Sequence, residues 1–197
     1  MNTLIPIVIL AAGMSTRFPG NKLLYEVSGK PLIRYIVESA LKSKADEVIV
    51  VLGYEVEKVA AKIEDLDIVI IYNPKYRVGM SESVKRGIKA VYKWAEAVII
   101  HPADVAFAPP QAFNAVIEKY LNTKAPVVVV AYKGEKGHPI LFSKETFNDI
   151  LSISEETMGL KYVTRKYYSK TVIVNLPYKE VVVDIDTLED LKLLRKL

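Results

Sequence analysis

Two cations close behind a run of small residues give the first chemical signal in this chain. In Ile7 to Lys22, IVILAAGMSTRFPGNK, a branched apolar stretch stops at Ala11, Ala12 and Gly13 and opens into a polar loop holding Arg17 and Lys22. Small residues let backbone amides approach a ligand, and the two cations bring positive charge to the same loop. The combination suits a nucleoside triphosphate held at the end of a buried strand. A tight strand-to-helix turn with two solvated cations is the plainer reading; it accounts for Gly13 alone but not for the whole constellation. Asp104, beyond an apolar run and a Pro-Ala turn, is suited to Mg²⁺, which takes phosphate oxygens together with one or two carboxylates. A helix cap is the other reading of the same aspartate. Asp184-Ile185-Asp186 places two more carboxylates where a strand-like run ends. If the strand persists they face opposite ways, so one of them reaches the metal. Asp186 is favoured and Asp184 is the alternative; either could instead organise the turn before the last helix.

The remaining residue types narrow the chemistry further. His101 and His138 lack a metal-ligand spacing; His101, ending a buried strand, reads as structural, whereas His138, between Gly137 and Pro139 in an expected loop, reads as a ligand contact. No Ser-His-Asp spacing is visible, and the twelve tyrosines form no aromatic and basic stripe for single-stranded bases. The absence of cysteine excludes disulfides, thiolate catalysis and cysteine-bound zinc. A net charge of +4 is mild, and the densest basic clusters, Lys161 to Lys170 and Lys192 to Lys196, fit solvated helix faces better than a nucleic-acid groove, while remaining compatible with attraction for a polyphosphate. No apolar run reaches bilayer length and no basic start precedes Ile5 to Leu10, so a cytoplasmic protein without membrane segments is expected.

These residues need a scaffold, and the chain alternates strand-like and helix-like patterns to supply one. Leu32, Ile33, Ile36, Val37, Ala40 and Leu41 recur at helical spacing after Ser28-Gly29-Lys30-Pro31, with Pro31 suited to the first turn. Val48 to Leu52, Ile68 to Tyr72, Ala97 to Ile100 and Val127 to Ala131 read as strands buried on both faces, with helices over Val56 to Ile63, Val84 to Ala95 and Phe113 to Leu121 between them. Ser81 is placed to cap the second of these helices. Beyond Lys133 the expectation is a short strand Pro139 to Phe142, two shorter helices, and strand-like pieces Thr171 to Val174 and Glu180 to Val183. Thr187-Leu188-Glu189-Asp190 then reads as a capping box for a last helix carrying Leu191 and Leu194. The reading is an α/β fold: a Rossmann-like three-layer α/β/α sandwich with a mostly parallel sheet, one domain over 1–197. In such sheets ligands collect at the carboxyl ends of the strands, so the loops after Leu10, Tyr72, Ile100 and Ala131 are expected to share one crevice.

In this order, Leu10-Ala-Ala-Gly-Met-Ser-Thr-Arg17, Asn21-Lys22-Leu23-Leu24, Gly29-Lys-Pro-Leu32, Asn73, Gly79-Met-Ser-Glu-Ser83 with Gly87, Asp104, Gly137-His-Pro-Ile-Leu-Phe142 and Asp184-Ile-Asp-Thr187 span nearly the whole chain. The set resembles the signature of the MobA-like nucleotidyltransferases, particularly the molybdenum cofactor cytidylyltransferase branch. The resemblance implies transfer of a nucleoside monophosphate to the phosphate of molybdopterin, with Mg²⁺ and release of pyrophosphate. By the same analogy Leu10, Ala11, Ala12 and Gly13 surround the base, with Asn73, Gly79 and Ser83 on the nucleoside side. Arg17 and Lys22 hold the triphosphate, Asp104 the metal with Asp186 as second ligand, and Gly137, His138 and Pro139 face the acceptor. Ala12, where guanylyl-transferring relatives tend to carry glycine, tilts the expectation toward CTP over GTP. Two segments depart from the branch: Val105-Ala106 follows Asp104 where Gln-Pro is usual, and Glu155 to Leu160 matches a Gly-Asp-x-Gly-Ala-Arg segment poorly. A molybdoenzyme maturation partner is a further implication. The alternatives are a nucleotidyltransferase for a sugar phosphate or another small phosphate, and a nucleotide-binding module without turnover.

Overall fold

The structure, a computed structural model, describes residues 3–194, with side chains through Leu191. Met1 and Asn2, the Leu194 side chain and the basic end of the Lys192 to Lys196 cluster therefore lie outside the described residues. Nine strands run in chain order: β1 (Ile7–Ala11), β2 (Glu26–Val27), β3 (Lys30–Pro31), β4 (Val48–Leu52), β5 (Val69–Tyr72), β6 (Ala97–Pro102), β7 (Val127–Tyr132), β8 (Glu135–Ser143) and β9 (Thr171–Asn175). The α-helices are α1 (Leu32–Leu41), α2 (Val56–Ala60), α3 (Met80–Val91), α4 (Pro110–Thr123), α5 (Phe147–Leu151), α6 (Leu160–Lys166) and α7 (Leu188–Leu194).

Seven strands form one sheet in the order β5-β4-β1-β6-β8-β7-β9. All pairings are parallel except the two made by β8, which runs antiparallel to both β6 and β7. Strand alternation divides β1 between two cores: Ile7 and Ile9 join the core that includes Ile33, Ile36 and Phe113, while Val8 and Leu10 join the core of Val84, Ile88, Phe147 and Val163. Helices therefore cover both faces, as the doubly buried strands require. The small hairpin β2-β3 turns through Ser28 and Gly29, both at positive φ, a pair of central residues that suits a tight hairpin.

The α1 stripe is as its spacing predicts, with Leu32, Ile33, Ile36, Val37 and Ala40 buried. Pro31 stands one residue earlier than expected, closing β3 and flanking the helix. Four further expectations are corrected. β5 is an edge strand with Val69 and Tyr72 exposed, because no strand among the described residues pairs with its far side. β8 is nine residues long, so Gly137, His138 and Pro139 are strand residues and not a loop. Glu180 to Val183 adds no strand: Lys179–Val182 is a 3₁₀ turn, and it crosses β8 where Gly137 has no side chain to collide with the Val181 carbonyl. Ser81 lies inside α3 instead of capping it, with Gly79 in the capping position. The capping box at the last helix is present, with Asp190 Oδ2 accepting from Thr187 N at 2.7 Å and Asp190 N donating to Thr187 Oγ1 at 3.3 Å. No helix among the described residues is long and apolar enough to cross a membrane.

Candidate active site

Strand order reverses at β1, which sends the chain first to β4 and β5 and later back to β6 on the other side. The loops after β1 and β6 therefore diverge over one crevice, the position where open α/β sheets take ligands. Backbone bonds fix this crevice before any side chain is considered. Ala103 N donates to Leu10 O at 3.0 Å, and Ile185 N donates to Asp104 O at 3.0 Å. The first bond holds the loop after β6 against the end of β1; the second adds the 184–186 stretch. On the other wall, Gly87 leaves room for Val8, so α3 lies close on β1 and its start at Gly79 borders the same space.

The charged residues converge at the centre. Lys22 Nζ donates to Asp104 Oδ2 at 2.9 Å, to Asp186 Oδ1 at 3.2 Å and to Ile185 O at 2.9 Å, with 13% of its side chain exposed. Arg17, 73% exposed, pairs with Asp186 Oδ2 at 2.8 Å. Arg17 and Lys22 from one loop, with Asp104 and Asp186 from two distant parts of the chain, thus form one ionic corner. Two carboxylates that share one ammonium converge on one point, the arrangement a divalent cation needs, with Lys22 and Arg17 balancing their charge. No cluster of three or more acidic or histidine groups suited to a metal occurs among the described residues. The pair is nevertheless enough for Mg²⁺, which completes its shell with phosphate and water. Asp184 does not point away as simple alternation predicts. The 184–186 stretch is not a strand, Ile185 alone turns into a small core with Phe18 and Leu32, and both aspartates border one cavity.

Two spaces flank the corner. The first, about 290 Å³, is lined by Leu10, Ala11, Ala12, Gly13, Lys22, Gly79, Ser83 and Asp104, together with Tyr76 and Arg77. A Cβ on Gly13 would meet no protein atom within 4 Å, so what this glycine leaves open is the cleft itself. Asn73 is not brought to the cleft. It is buried, its Nδ2 donates to Ser83 Oγ at 2.9 Å and its Oδ1 accepts from Lys75 N at 3.0 Å, so it holds Ser83 in place. Arg17 also stands outside this first space and borders the second.

The second space, about 500 Å³, shares Leu10, Met80, Pro102 and Asp104 with the first and extends to His138, Glu155, Met158, Leu160 and Asp184. Of the three residues expected there, His138 lines the wall, whereas Gly137 and Pro139 are buried and do not. Burial holds His138 down to about 4, with Asp104 opposing the shift, so it is neutral near pH 7. His101 is fully buried, donates from Nε2 to Val105 O at 2.9 Å and is held at about 3, as a structural histidine should be. Asp184 is pushed up by burial and by the neighbouring Asp104 and Asp186. Ser81 Oγ and His138 Nδ1 are buried without a partner among the described residues.

Sequence reasoning missed Glu155, whose Oε1 accepts from Ser81 N at 2.8 Å and whose carboxyl fills the place a Cβ on Gly79 would take. It also missed Tyr76 and Arg77, although both directly precede the Gly79 motif. The departure at Val105-Ala106 falls in packing and not in either cavity: Val105 and Ala106 are buried in separate apolar clusters. The departure at 155–160 does line the second space.

Residues 7–172 match the family model described as MobA-like NTP transferase domain. A probable molybdenum cofactor guanylyltransferase of Thermococcus sibiricus is 29% identical over 134 residues, covering 68% of this chain and 65% of the relative. A 3-deoxy-manno-octulosonate cytidylyltransferase of Tolumonas auensis is 28% identical over 135 residues, covering 68% and 52%. This chain spans less than two thirds of the length of either relative. A solved nucleotidyl transferase from Methanothermobacter thermautotroptrophicus superposes with a TM-score of 0.85 at 22% identity, over 99% of this chain and 97% of the other, a likeness of fold.

Proposed function

The chain belongs to the MobA-like NTP transferase domain family, and from that premise we propose that it is a nucleotidyltransferase that moves a nucleoside monophosphate, CMP by preference, from a nucleoside triphosphate to the phosphate of molybdopterin. One observation carries the reading: two cavities that share Leu10, Met80, Pro102 and Asp104 meet beside the corner where Arg17, Lys22, Asp104 and Asp186 come together. A nucleotide in the smaller cavity would present its α-phosphate to an acceptor in the larger one at that junction.

The acceptor phosphate needs no general base. Its second pKa is about 6, so near neutral pH it is already largely a dianion. Its oxygen attacks the α-phosphorus, the bond from that phosphorus to the bridging oxygen of the β-phosphate breaks, and pyrophosphate leaves with the electron pair. Lys22 and Arg17 offset the charge that builds on the departing pyrophosphate, where fixed cations in a partly water-excluded site stabilise most. Asp104 and Asp186 would hold Mg²⁺, which supplies further charge neutralisation when bound. Ala12 borders the nucleotide cavity and supports CMP over GMP on the same analogy that raised it.

The test is pyrophosphate release with CTP, GTP, ATP and UTP, each with molybdopterin and with a panel of sugar phosphates. The highest rate is expected with CTP and molybdopterin. Release with a sugar phosphate alone would move the acceptor to that class, and nucleotide binding without release under any combination would leave a binding module.

A further inference from the structure

Among the residues that line the nucleotide cavity, Tyr76 is the one aromatic side chain, and its position is built from several independent directions. The backbone is tied first. Asn73 N donates to Leu52 O at 2.8 Å, at the end of β4, and Tyr76 N donates to Asn73 O at 3.3 Å. Packing is tied next. A Cβ on Gly53 would lie 2.5 Å from Tyr76 Cβ and 2.8 Å from Ala12 Cβ, separations that real Cβ atoms do not adopt. Gly53 therefore carries no side chain so that Tyr76 and Ala12 can both close on the place its Cβ would take. Its φ is not in the left-handed region, so steric room and not backbone freedom is what the glycine supplies. Ala12 O, meanwhile, accepts from Tyr54 N at 3.3 Å, which binds the same loop to the β1 end.

The ring itself is held by two neighbours, Tyr54 outside the cavity and Arg77 on its lining. The Tyr54 ring sits 6.4 Å away at 49°, and Arg77 Nε donates to Tyr76 Oη at 3.2 Å with its guanidinium 5.6 Å from the ring centroid. Tyr76 borders an outer groove beside Gly53 and Tyr72 as well as the nucleotide cavity, so it is a partition between the ligand space and solvent. The rest of the cavity near Ala12 is small: Gly13, Ser83 and Ala103 offer backbone and short side chains but no flat surface. A nucleoside base is flat and apolar on its faces, and it gains most from an aromatic face that is already fixed in place.

We propose that Tyr76, set in position by the missing side chain of Gly53, is the aromatic wall against which the nucleotide base packs, opposite the Ala12-Gly13 backbone. This rests on the nucleotidyltransferase reading only in assigning the smaller cavity to the nucleotide. Tyr76 acts in binding; the triphosphate belongs to Lys22 and Arg17.

Calorimetric titration without any acceptor tests the assignment. CTP with Mg²⁺, and tripolyphosphate with Mg²⁺, are titrated into the wild type and into Tyr76→Phe, Tyr76→Leu, Tyr76→Ala and Gly53→Ala. Tyr76→Phe is expected to bind CTP within about twofold of the wild type, and Tyr76→Leu and Tyr76→Ala on the order of tenfold or more weakly, as loss of a stacked base implies. Tripolyphosphate binding is expected to be equal in all the Tyr76 variants, which a general loss of structure would not produce. Gly53→Ala, whose added Cβ would press on both Tyr76 Cβ and Ala12 Cβ, should weaken CTP at least as much as Tyr76→Ala. Wild-type CTP binding with Tyr76→Ala unchanged, or Tyr76→Leu equal to Tyr76→Phe, would overturn the assignment while leaving the function intact. A wild type that binds no nucleotide would overturn both.

Discussion

The ionic corner and the larger space beside it are furnished in opposite ways. At the corner, where the two spaces meet, the charged groups are matched: Lys22 satisfies Asp104 and Asp186 at once, and Arg17 takes the other oxygen of Asp186. On the acceptor side polar atoms are left over: Ser81 Oγ and His138 Nδ1 lack partners among the described residues, and Asp184 is held above its ordinary carboxylate range. A corner whose charges already neutralise one another can wait for a polyphosphate and trade contacts when it arrives. A cavity with orphaned buried atoms carries a free-energy penalty of about 1–3 kcal/mol for each, until a ligand pairs with them. The difference assigns charge chemistry to the junction and shape and hydrogen-bond recognition to the larger space.

The largest effect should come from breaking the ionic corner. Asp104→Ala or Lys22→Ala is expected to lower turnover on the order of 10²–10³-fold, as removal of one preorganised charge-stabilising group does, with the unfolding transition little changed. Turnover within a few-fold of the wild type in a folded variant would end the role given to that residue.

The same corner makes a second, opposite-signed prediction. Because the Lys22 ammonium stands between the two carboxylates, the nucleotide-free protein should hold Mn²⁺ weakly, and Lys22→Met should tighten that binding roughly tenfold, since it leaves Asp104 without a cation and Asp186 with Arg17 alone. Electron paramagnetic titration of free Mn²⁺ reads this directly. Equal or weaker binding by Lys22→Met would mean the carboxylates do not act together.

Substitutions across the divide should separate the two ligands. Ser81→Ala and His138→Leu are expected to change the acceptor KM by several-fold to about tenfold while leaving CTP affinity unaltered. Asn73→Ala, which frees Ser83, should do the reverse with a smaller change of roughly threefold. A shift in the same ligand for both sets would erase the distinction between the cavities.

How much of this division could be read from the chain depends on the sequence distance over which each part is made. The α1 stripe, β1 and the Arg17–Lys22 loop are local, and residue type with spacing was enough to find them. Asp104 and Asp186 were found because each follows an apolar run. Which of Asp184 and Asp186 turns inward was not legible, since Ile185 N is bonded to Asp104 O and the stretch is no longer a strand with strict alternation. Glu155 was invisible for the same kind of reason: its partner Ser81 is 74 residues away, and the only local sign was a glycine at 79 with no evident need for one. His138 was placed in a loop because Gly and Pro flank it, whereas β8 pairs with β7 on both sides of it, at Ile140 and again at Lys136, and carries residues 137–139 as an irregularity within one strand.

The smallest effect expected is on stability against pH. His101 is held at about 3 and His138 at about 4, against an ordinary 6.5, so both bind fewer protons folded than unfolded. Their contribution is complete above pH 6.5 and declines as the pH falls toward 4. Asp184, raised by burial and its two neighbours, works in the opposite sense and gains as the pH falls. The melting temperature should drop by several degrees between about pH 7 and pH 5, and His101→Gln should flatten that slope. A melting temperature that rises on acidification through this range would contradict the burial of both imidazoles.

A crystal of the protein grown with a non-hydrolysable CTP analogue and Mn²⁺ tests the meeting of the two spaces most directly. An anomalous peak between the Asp104 and Asp186 carboxylates, with the base in the smaller cavity and the α-phosphate facing the larger, is the predicted result. Nucleotide bound elsewhere, or metal bound away from both aspartates, would contradict it.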